Sequence, residues 1–80
     1  MYDKYNKVLP IIVNQALPTH KGLFLKKSSA TATVLVEYFG AGFTGSHAGT
    51  ISLQSGVDYI HPIQVYKITN LDGATGFLLN

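Results

Sequence analysis

The run GAGFTG at residues 40–45 has glycines at its first, third and sixth positions, as the dinucleotide-binding pattern does, and it directly follows the strand-like run TATVLVEYF. A dinucleotide site needs a helix that opens at this loop, because the amides at a helix N-terminus bind the pyrophosphate. The residues that follow are interrupted by Gly49, Gly56 and Pro62 and show no helical period. We therefore expect a loop between two antiparallel strands and no bound cofactor.

The three histidines, at positions 20, 47 and 61, are the residues best suited to bind a metal ion. A metal site needs at least three converging ligands, and the nearest candidates are His47, Asp58 and His61. Asp58 and His61 are three residues apart, so a straight strand would point them to opposite faces of its sheet, although a turn could bring them together. We expect separate surface histidines and no metal site.

Catalysis by a hydrolase would need a nucleophile, a base and an orienting group in one pocket. Ser46 and His47 are neighbours in a glycine-rich run, which would hold them in place poorly. The acidic residues are only Asp3, Glu37, Asp58 and Asp72. A chain of 80 residues also has little interior from which to build a substrate pocket. The sequence predicts a protein that is not an enzyme and has no catalytic residue.

Aromatic side chains and lysines could form a binding surface instead. The aromatic candidates are Tyr2, Tyr5, Tyr38, Phe39, Phe43, Tyr59 and Tyr66. Residues 1–30 hold five lysines and one aspartate, but the chain has no arginine, the side chain best suited to bidentate contacts with phosphate and guanine. Nucleic acid is therefore not the expected partner, and we interpret the basic front as a surface for a neighbouring subunit. A free β-barrel module that binds single-stranded nucleic acid or a small ligand is the alternative function from another class.

The composition favours a chain that associates with other proteins. Charged residues are 12% of the chain, about half the usual share for a soluble domain, and there is no cysteine to form a disulfide. A domain of this length buries only about 60% of the surface that its unfolded chain exposes, so contact with further subunits would add apolar burial. We expect a homo-oligomer. No apolar run approaches the roughly 20 residues of a membrane helix, so no membrane association is expected.

Short runs of β-branched and aromatic residues, separated by Gly, Ser, Asn and Asp, predict strands rather than helices. The predicted strands are PIIVNQ, GLFLKK, TATVLVEYF, GTISLQ and PIQVYKIT, and Asp72-Gly73 predicts a hairpin before a packed C-terminal strand. The expected fold is all-β, a small antiparallel barrel or sandwich of five to six strands with an extended N-terminal arm. Residues 1–9 are predicted to form this arm and residues 10–80 a single antiparallel β domain.

Three runs in the second part of the chain occur in an order that is also found in a known class of proteins. They are Thr50-Ile51-Ser52-Leu53 with Gly56 after it, Pro62-Ile63-Gln64-Val65-Tyr66-Lys67-Ile68, and Ala74-Thr75-Gly76-Phe77-Leu78-Leu79. From about residue 31 to the end, this order resembles small virion β-proteins of tailed phages and gene transfer agents, in particular the spike-base type on the head. The basic, Tyr-rich front has no counterpart in that pattern, and the resemblance includes no catalytic signature.

The resemblance implies a non-enzymatic virion structural protein that docks in multiple copies on a phage capsid, as a decoration or cement protein or as a vertex spike base. A tail or baseplate component is the alternative within the virion. The implied partners are the major capsid protein or other virion proteins, and the implied location is the virion, assembled in the host cytoplasm. In the N-terminal arm we expect interface contacts from Tyr2, Lys4, Tyr5 and Lys7.

Overall fold

The computed structural model describes residues 7–40 and 45–80 of the chain, and within them it contains seven strands. The strands are β1 (Val8–Pro10), β2 (Gly22–Lys26), β3 (Ala32–Phe39), β4 (Gly45–Leu53), β5 (Asp58–His61), β6 (Lys67–Asn70) and β7 (Thr75–Leu79). These residues include no helix long and apolar enough to cross a membrane. The prediction of an all-β fold is confirmed.

The strands form two sheets in which all paired strands are antiparallel. The four-stranded sheet has the order β1-β7-β2-β5, and the three-stranded sheet has the order β4-β3-β6. The strands on either side of the glycine-rich run, β3 and β4, are antiparallel neighbours, as predicted. Gly45 begins a strand at the point where a dinucleotide site requires a helix.

The core lies between the two sheets, and both sheets contribute side chains to it. Its buried residues are Leu23, Leu25, Ala32, Val34, Val36, Ile51, Leu53, Val65, Ile68, Ala74 and Leu78. Along β3, burial alternates from Ala32 to Val36, which confirms the apolar face that the sequence predicts there. In the described part of the chain, every buried side-chain nitrogen or oxygen has a hydrogen-bond partner, so the core encloses no unsatisfied polar group.

The number of strands differs from the prediction, and one of its two alternatives is excluded. The described residues form seven strands instead of five to six, and these make two antiparallel sheets, so of the predicted barrel or sandwich the closed barrel is not formed. The sequence pattern misses β5 because DYIH is short and lacks a strict apolar alternation. The run PIIVNQ, predicted as a strand, instead leaves the sheet at Pro10 and turns at Asn14, where φ is 62°. Proline has no N–H with which to continue a ladder of hydrogen bonds.

The predicted turn at Asp72 and Gly73 forms, but it does not close a hairpin. The two residues have left-handed φ values of 53° and 79°, and the Ala74 N–H donates to the Leu71 carbonyl at 2.9 Å. β6 belongs to the three-stranded sheet and β7 to the four-stranded sheet, so the turn carries the chain from one sheet to the other. The hairpin prediction is wrong because turn residues fix a local reversal, whereas tertiary packing decides which sheet each flanking strand joins.

Replacing Asp72 with alanine is expected to lower the free energy of unfolding by about 1–2 kcal/mol. The Asp72 Oδ2 accepts a hydrogen bond from the Thr33 N–H at 2.9 Å, and alanine adopts a left-handed backbone less readily than aspartate. Asp72→Asn keeps a side-chain acceptor and tolerates this backbone, so it should lose clearly less stability. Urea denaturation of both variants measures the difference, and equal losses would contradict this role for Asp72.

The predicted N-terminal arm meets the four-stranded sheet at Lys7. The Lys7 N–H donates to the Asn80 carbonyl at 2.6 Å, and the Asn80 N–H donates to the Lys7 carbonyl at 2.9 Å. Val8 and Leu9 then pair with β7 as part of β1. Residues 1–6 lie outside the described part of the chain.

Candidate interaction surface

A row of apolar residues crosses the outer side of the four-stranded sheet. In the strand register, Pro10 is opposite Phe77, and Phe77 is opposite Phe24. Phe24 in turn is opposite Ile60, so each of the four strands contributes one residue to the row. Directly opposed residues have their side chains on the same face of a sheet, and Val8 shares the face of Pro10 because it lies two positions earlier on β1. We call Val8, Pro10, Phe24, Ile60 and Phe77 the outer apolar face.

The outer apolar face points away from the core. Leu23 and Leu25 are fully buried in the core, so the alternation of β2 puts Phe24 between them on the opposite side of the sheet. Phe77 is 45% exposed and Val8 is 62% exposed. The rings of Phe24 and Phe77 stack with their centroids 6.3 Å apart and an interplanar angle of 23°. The two rings therefore form one continuous aromatic surface across β2 and β7.

One end of the outer apolar face is bordered by an ion pair. Lys26 and Asp58 are opposite each other on β2 and β5, with 3.4 Å between the Lys26 Nζ and the Asp58 Oδ1. Both side chains are exposed to solvent, so the pair contributes at most about 1 kcal/mol to stability. Its two charges compensate each other, and the apolar row beside it has no charge of its own.

An exposed face of this composition is typical of a protein contact. The largest apolar patch on a typical monomer covers roughly 300–600 Å² and often has a function, and aromatic residues near the centre of a contact often contribute most of its binding energy. Phe24 and Phe77 lie on β2 and β7, the two inner strands of the four-stranded sheet. The arrangement can therefore bury two stacked rings against another apolar surface.

Of the predicted interface residues, Lys7 is the one that the structure describes, and Tyr2, Lys4 and Tyr5 lie outside the described residues. The Lys7 side chain is exposed, and Lys7 directly precedes Val8 of the outer apolar face. By the alternation of the strand, the Lys7 side chain lies on the same side of the sheet as Leu9, opposite to Val8.

The sequence pattern does not distinguish Phe24 and Phe77 from core residues. Both lie in runs, GLFLK and TGFLL, that are apolar at three successive positions. A strand that is apolar on successive positions has two apolar faces, and only one of them can point into a core shared by two sheets. This doubled pattern is the signal that could have predicted the outer apolar face.

His61 links the two sheets, so the prediction that the histidines are separate surface residues is wrong for it. Its Nε2 is 3.0 Å from the Tyr38 Oη on β3, and its Nδ1 is 3.1 Å from the Tyr59 Oη on β5. A neutral imidazole has one donor and one acceptor nitrogen, so one phenol donates to the ring and the other accepts from it. Burial lowers the pKa of His61, and burial followed by the nearby Tyr59 raises the pKa of Tyr38. Both shifts favour the neutral forms of the His61 imidazole and the Tyr38 phenol at pH 7.

The residues considered as metal ligands do not converge. Asp58 pairs with Lys26 on the outer side of the four-stranded sheet, whereas His61 contacts Tyr38 of the other sheet. This confirms the prediction that Asp58 and His61 point to opposite faces. In residues 7–40 and 45–80, no group of three His, Asp or Glu side chains could hold a metal ion.

His20 is not a separate surface residue either, because it is only 3% exposed and both of its ring nitrogens are hydrogen-bonded. Its Nδ1–H donates to the Pro18 carbonyl at 2.7 Å, and its Nε2 accepts a hydrogen bond from the Val65 N–H at 3.1 Å. The ring therefore connects the segment before β2 to the segment before β6 by hydrogen bonds. It can do so only when it is neutral, because a protonated imidazole has no acceptor nitrogen for the Val65 N–H. Burial lowers the pKa of His20, against a smaller raising effect of the bond to Pro18. An isolated histidine has no sequence pattern that reveals such a position.

Stability is expected to fall as the pH is lowered below about 6.5, because the folded His20 has a pKa below that of the unfolded chain, 6.5. The unfolded chain then binds a proton first, so the contribution of His20 is complete above pH 6.5 and decreases as the pH falls towards the folded pKa. Each such histidine contributes a slope of at most about 1.4 kcal/mol per pH unit. His20→Gln keeps an acceptor for the Val65 N–H without titrating, so its slope should be smaller. Urea denaturation between pH 5 and 8 measures both slopes, and identical slopes would contradict this account.

Comparison with known proteins places the chain in no family. We find no match to it among protein-family models, curated protein sequences or solved structures. Its function is therefore inferred from its own sequence and from the outer apolar face.

Proposed function

We propose that this chain is a non-enzymatic structural protein of a virion, which docks in multiple copies on the protein shell through its outer apolar face. The observation that carries the proposal is the pair of stacked rings, Phe24 and Phe77, on the exposed side of a sheet whose other side already closes a core. Contact with an apolar protein surface would remove these rings from water, which is the main driving force of protein association. The proposed partner is the major capsid protein.

The charge of the face favours a protein partner over nucleic acid. Proteins that bind single-stranded nucleic acid combine stacked aromatic residues with a positively charged groove that follows the phosphates. Here Lys26, at the border of the face, is paired with Asp58, and the residues of the outer apolar face are uncharged. The two rings could stack on bases, but no residue of the outer apolar face is a cation that could contact the phosphates of a nucleic acid.

The size of the face favours docking in many copies. Four strands spaced about 4.8 Å apart, with about five residues of 3.4 Å each, give a face of roughly 300 Å². A stable complex of two proteins buries about 800 Å² on each partner, so one such contact alone would be weak. Many copies on a regular lattice, held also by their neighbours, remain bound through avidity. Tyr2, Lys4, Tyr5 and Lys7, the predicted contacts of the N-terminal arm, are proposed to add contact area.

The assignment to a virion is supported by the sequence order that resembles small β-proteins of tailed phages and gene transfer agents. On this basis the chain is proposed to decorate a phage capsid or to form the base of a vertex spike. A position in the tail or baseplate is the alternative. Assembly would take place in the host cytoplasm.

Native mass spectrometry of particles from cells that make the chain tests this proposal, because it reports the companions and the copy number together. We expect many copies per particle, bound to a shell protein and retained when the salt concentration is raised from 0.05 to 1 M, since apolar contacts are not screened. Chain that is recovered without particle proteins contradicts the proposal. Chain that binds single-stranded DNA with a steep loss of affinity in salt supports the nucleic-acid alternative instead.

A further inference from the structure

The outer edge of β4 pairs with no other strand of residues 7–40 and 45–80. An edge strand presents unpaired N–H and C=O groups to which another strand can bind, and proteins commonly block such edges with charged residues, proline, short strands or a covering segment. The two sheets have four edge strands, β1, β5, β4 and β6. They differ in whether they are blocked.

Three of the four edges are blocked. β1 has three residues and ends at Pro10. β5 has four residues and begins with the charged Asp58. β6 is covered by the segment that follows β1, because the Asn14 N–H donates to the Ile68 carbonyl at 2.8 Å. A second strand has little free backbone to bind at any of these edges.

As far as the structure describes the chain, β4 has none of these protections. It has nine residues, GSHAGTISL, without lysine, arginine, aspartate, glutamate or proline. Among the strands of the described part it pairs only with β3. The register with β3 is regular over residues 47–53 and shifts between Tyr38 and Phe39, opposite the start of β4. These seven regular residues form an uncharged edge about 23 Å long.

We propose that a second copy of this chain pairs with this edge, antiparallel, about a two-fold axis at Thr50. Thr50 is the central residue of 47–53, so this axis pairs all seven regular residues, and every other register pairs fewer. It sets Thr50 opposite Thr50 of the second copy, and Ala48 opposite Ser52. Threonine pairs are favourable across strands, and no like charges face each other. The two three-stranded sheets then form one sheet of six strands.

The surface beside the edge also favours a second copy. A shallow depression of about 460 Å³ lies on the outer side of the three-stranded sheet, and Leu35, Ala48, Thr50 and Thr69 are among the residues that line it. Leu35 is 40% exposed there. With the axis at Thr50, the two depressions would lie side by side on one face of the six-stranded sheet. A two-fold contact uses one patch twice, so it needs no complementary surface from a different protein.

Disulfide formation by a single introduced cysteine tests the pairing, because the natural chain has no cysteine. In Thr50→Cys the two Cα atoms would lie about 4.5–5.5 Å apart, within the range of a disulfide. In the control, Thr33→Cys on β3, they would be at least about 14 Å apart, three strand spacings. Under mild oxidation at micromolar concentration we expect Thr50→Cys to form a covalent dimer at least about 10 times faster. Equal rates for the two folded variants would overturn the proposal.

A charge exchange tests the position of the axis. Thr50→Lys and Thr50→Glu each put like charges opposite each other, so each variant alone should be mostly monomeric by analytical ultracentrifugation. An equimolar mixture should restore a dimer that contains one copy of each, and thermal melting checks that both variants are folded. The proposal fails if the natural chain is monomeric at 100 µM, if each charged variant dimerises as well as the natural chain, or if the mixture remains monomeric.

This dimer does not depend on docking through the outer apolar face, which lies on the other sheet. Phe77→Gln should leave the covalent dimer of Thr50→Cys unchanged when the two substitutions are combined. If it abolishes that dimer, the second copy binds at the four-stranded sheet, and the assignment to β4 is overturned. Failure of particle binding with an intact dimer counts against the proposed function alone.

Discussion

The Phe77→Gln variant is expected to bind its particle about 30 to 1,000 times more weakly than the natural chain, while it stays folded. Phe77 lies on an inner strand of the four-stranded sheet and stacks on Phe24, so it occupies the centre of the outer apolar face. The substitution removes a ring from the contact and puts an amide, which would lose its hydrogen bonds to water, in its place. Sedimentation of the labelled chain with purified particles, over a range of concentrations, measures the affinity.

Val13→Gln is the matched control for this prediction. Val13 is 41% exposed, close to the 45% of Phe77, but it precedes Asn14, whose N–H donates to Ile68 in β6 of the other sheet. The same change of chemistry should therefore leave particle binding within about threefold of the natural value. If both variants bind equally well, or lose the same affinity, the outer apolar face is not the docking surface.

Leu25→Ala should lower the free energy of unfolding by about 2–5 kcal/mol. Leu25 is fully buried on the core side of β2, next to Phe24, and truncating it leaves a cavity between the sheets. A domain of this length has a total stability of about 4–12 kcal/mol, so the variant should be near or below the threshold for folding at 37 °C. Thermal and urea denaturation measure the loss.

Leu35→Ala removes the same atoms from an exposed position and should cost less than about 0.5 kcal/mol. A similar loss in both variants would mean that the core is not where the burial pattern places it. The comparison of Leu25→Ala with Leu35→Ala also tests whether the chain can fold before it docks. We expect that it can, because the core between the sheets contains no residue of the outer apolar face. Loss of Phe77 should accordingly affect binding far more than stability.

β3 is the part of the fold that the sequence predicts best. Thr33 and Glu37 mark the face opposite Ala32, Val34 and Val36, so the pattern predicts both the strand and its buried face, although Leu35 on the opposite face is apolar. β5 lacks such a pattern, and the hairpin predicted at Asp72 fails because β6 and β7 join different sheets. Local turn chemistry determines where the chain reverses, and long-range packing determines which strands pair.

The candidate surface was harder to predict than the core for a related reason. An apolar residue on a strand suits a core and a docking face equally well, and only the sheet topology shows that Phe24 and Phe77 are turned away from Leu25. The links made by His20 and His61 depend on Val65, Tyr38 and other partners distant in sequence. No spacing rule connects such residues before the fold is known.

Oxidative footprinting of the natural chain, free and on its particle, is the most direct test of docking through the outer apolar face. Hydroxyl radicals modify exposed aromatic rings, and mass spectrometry reports the extent at each residue. Phe24 and Phe77 should be protected on the particle, whereas Tyr66, which lies outside this face, should react equally in both states. Equal modification of Phe24 and Phe77 in both states would contradict docking through this face.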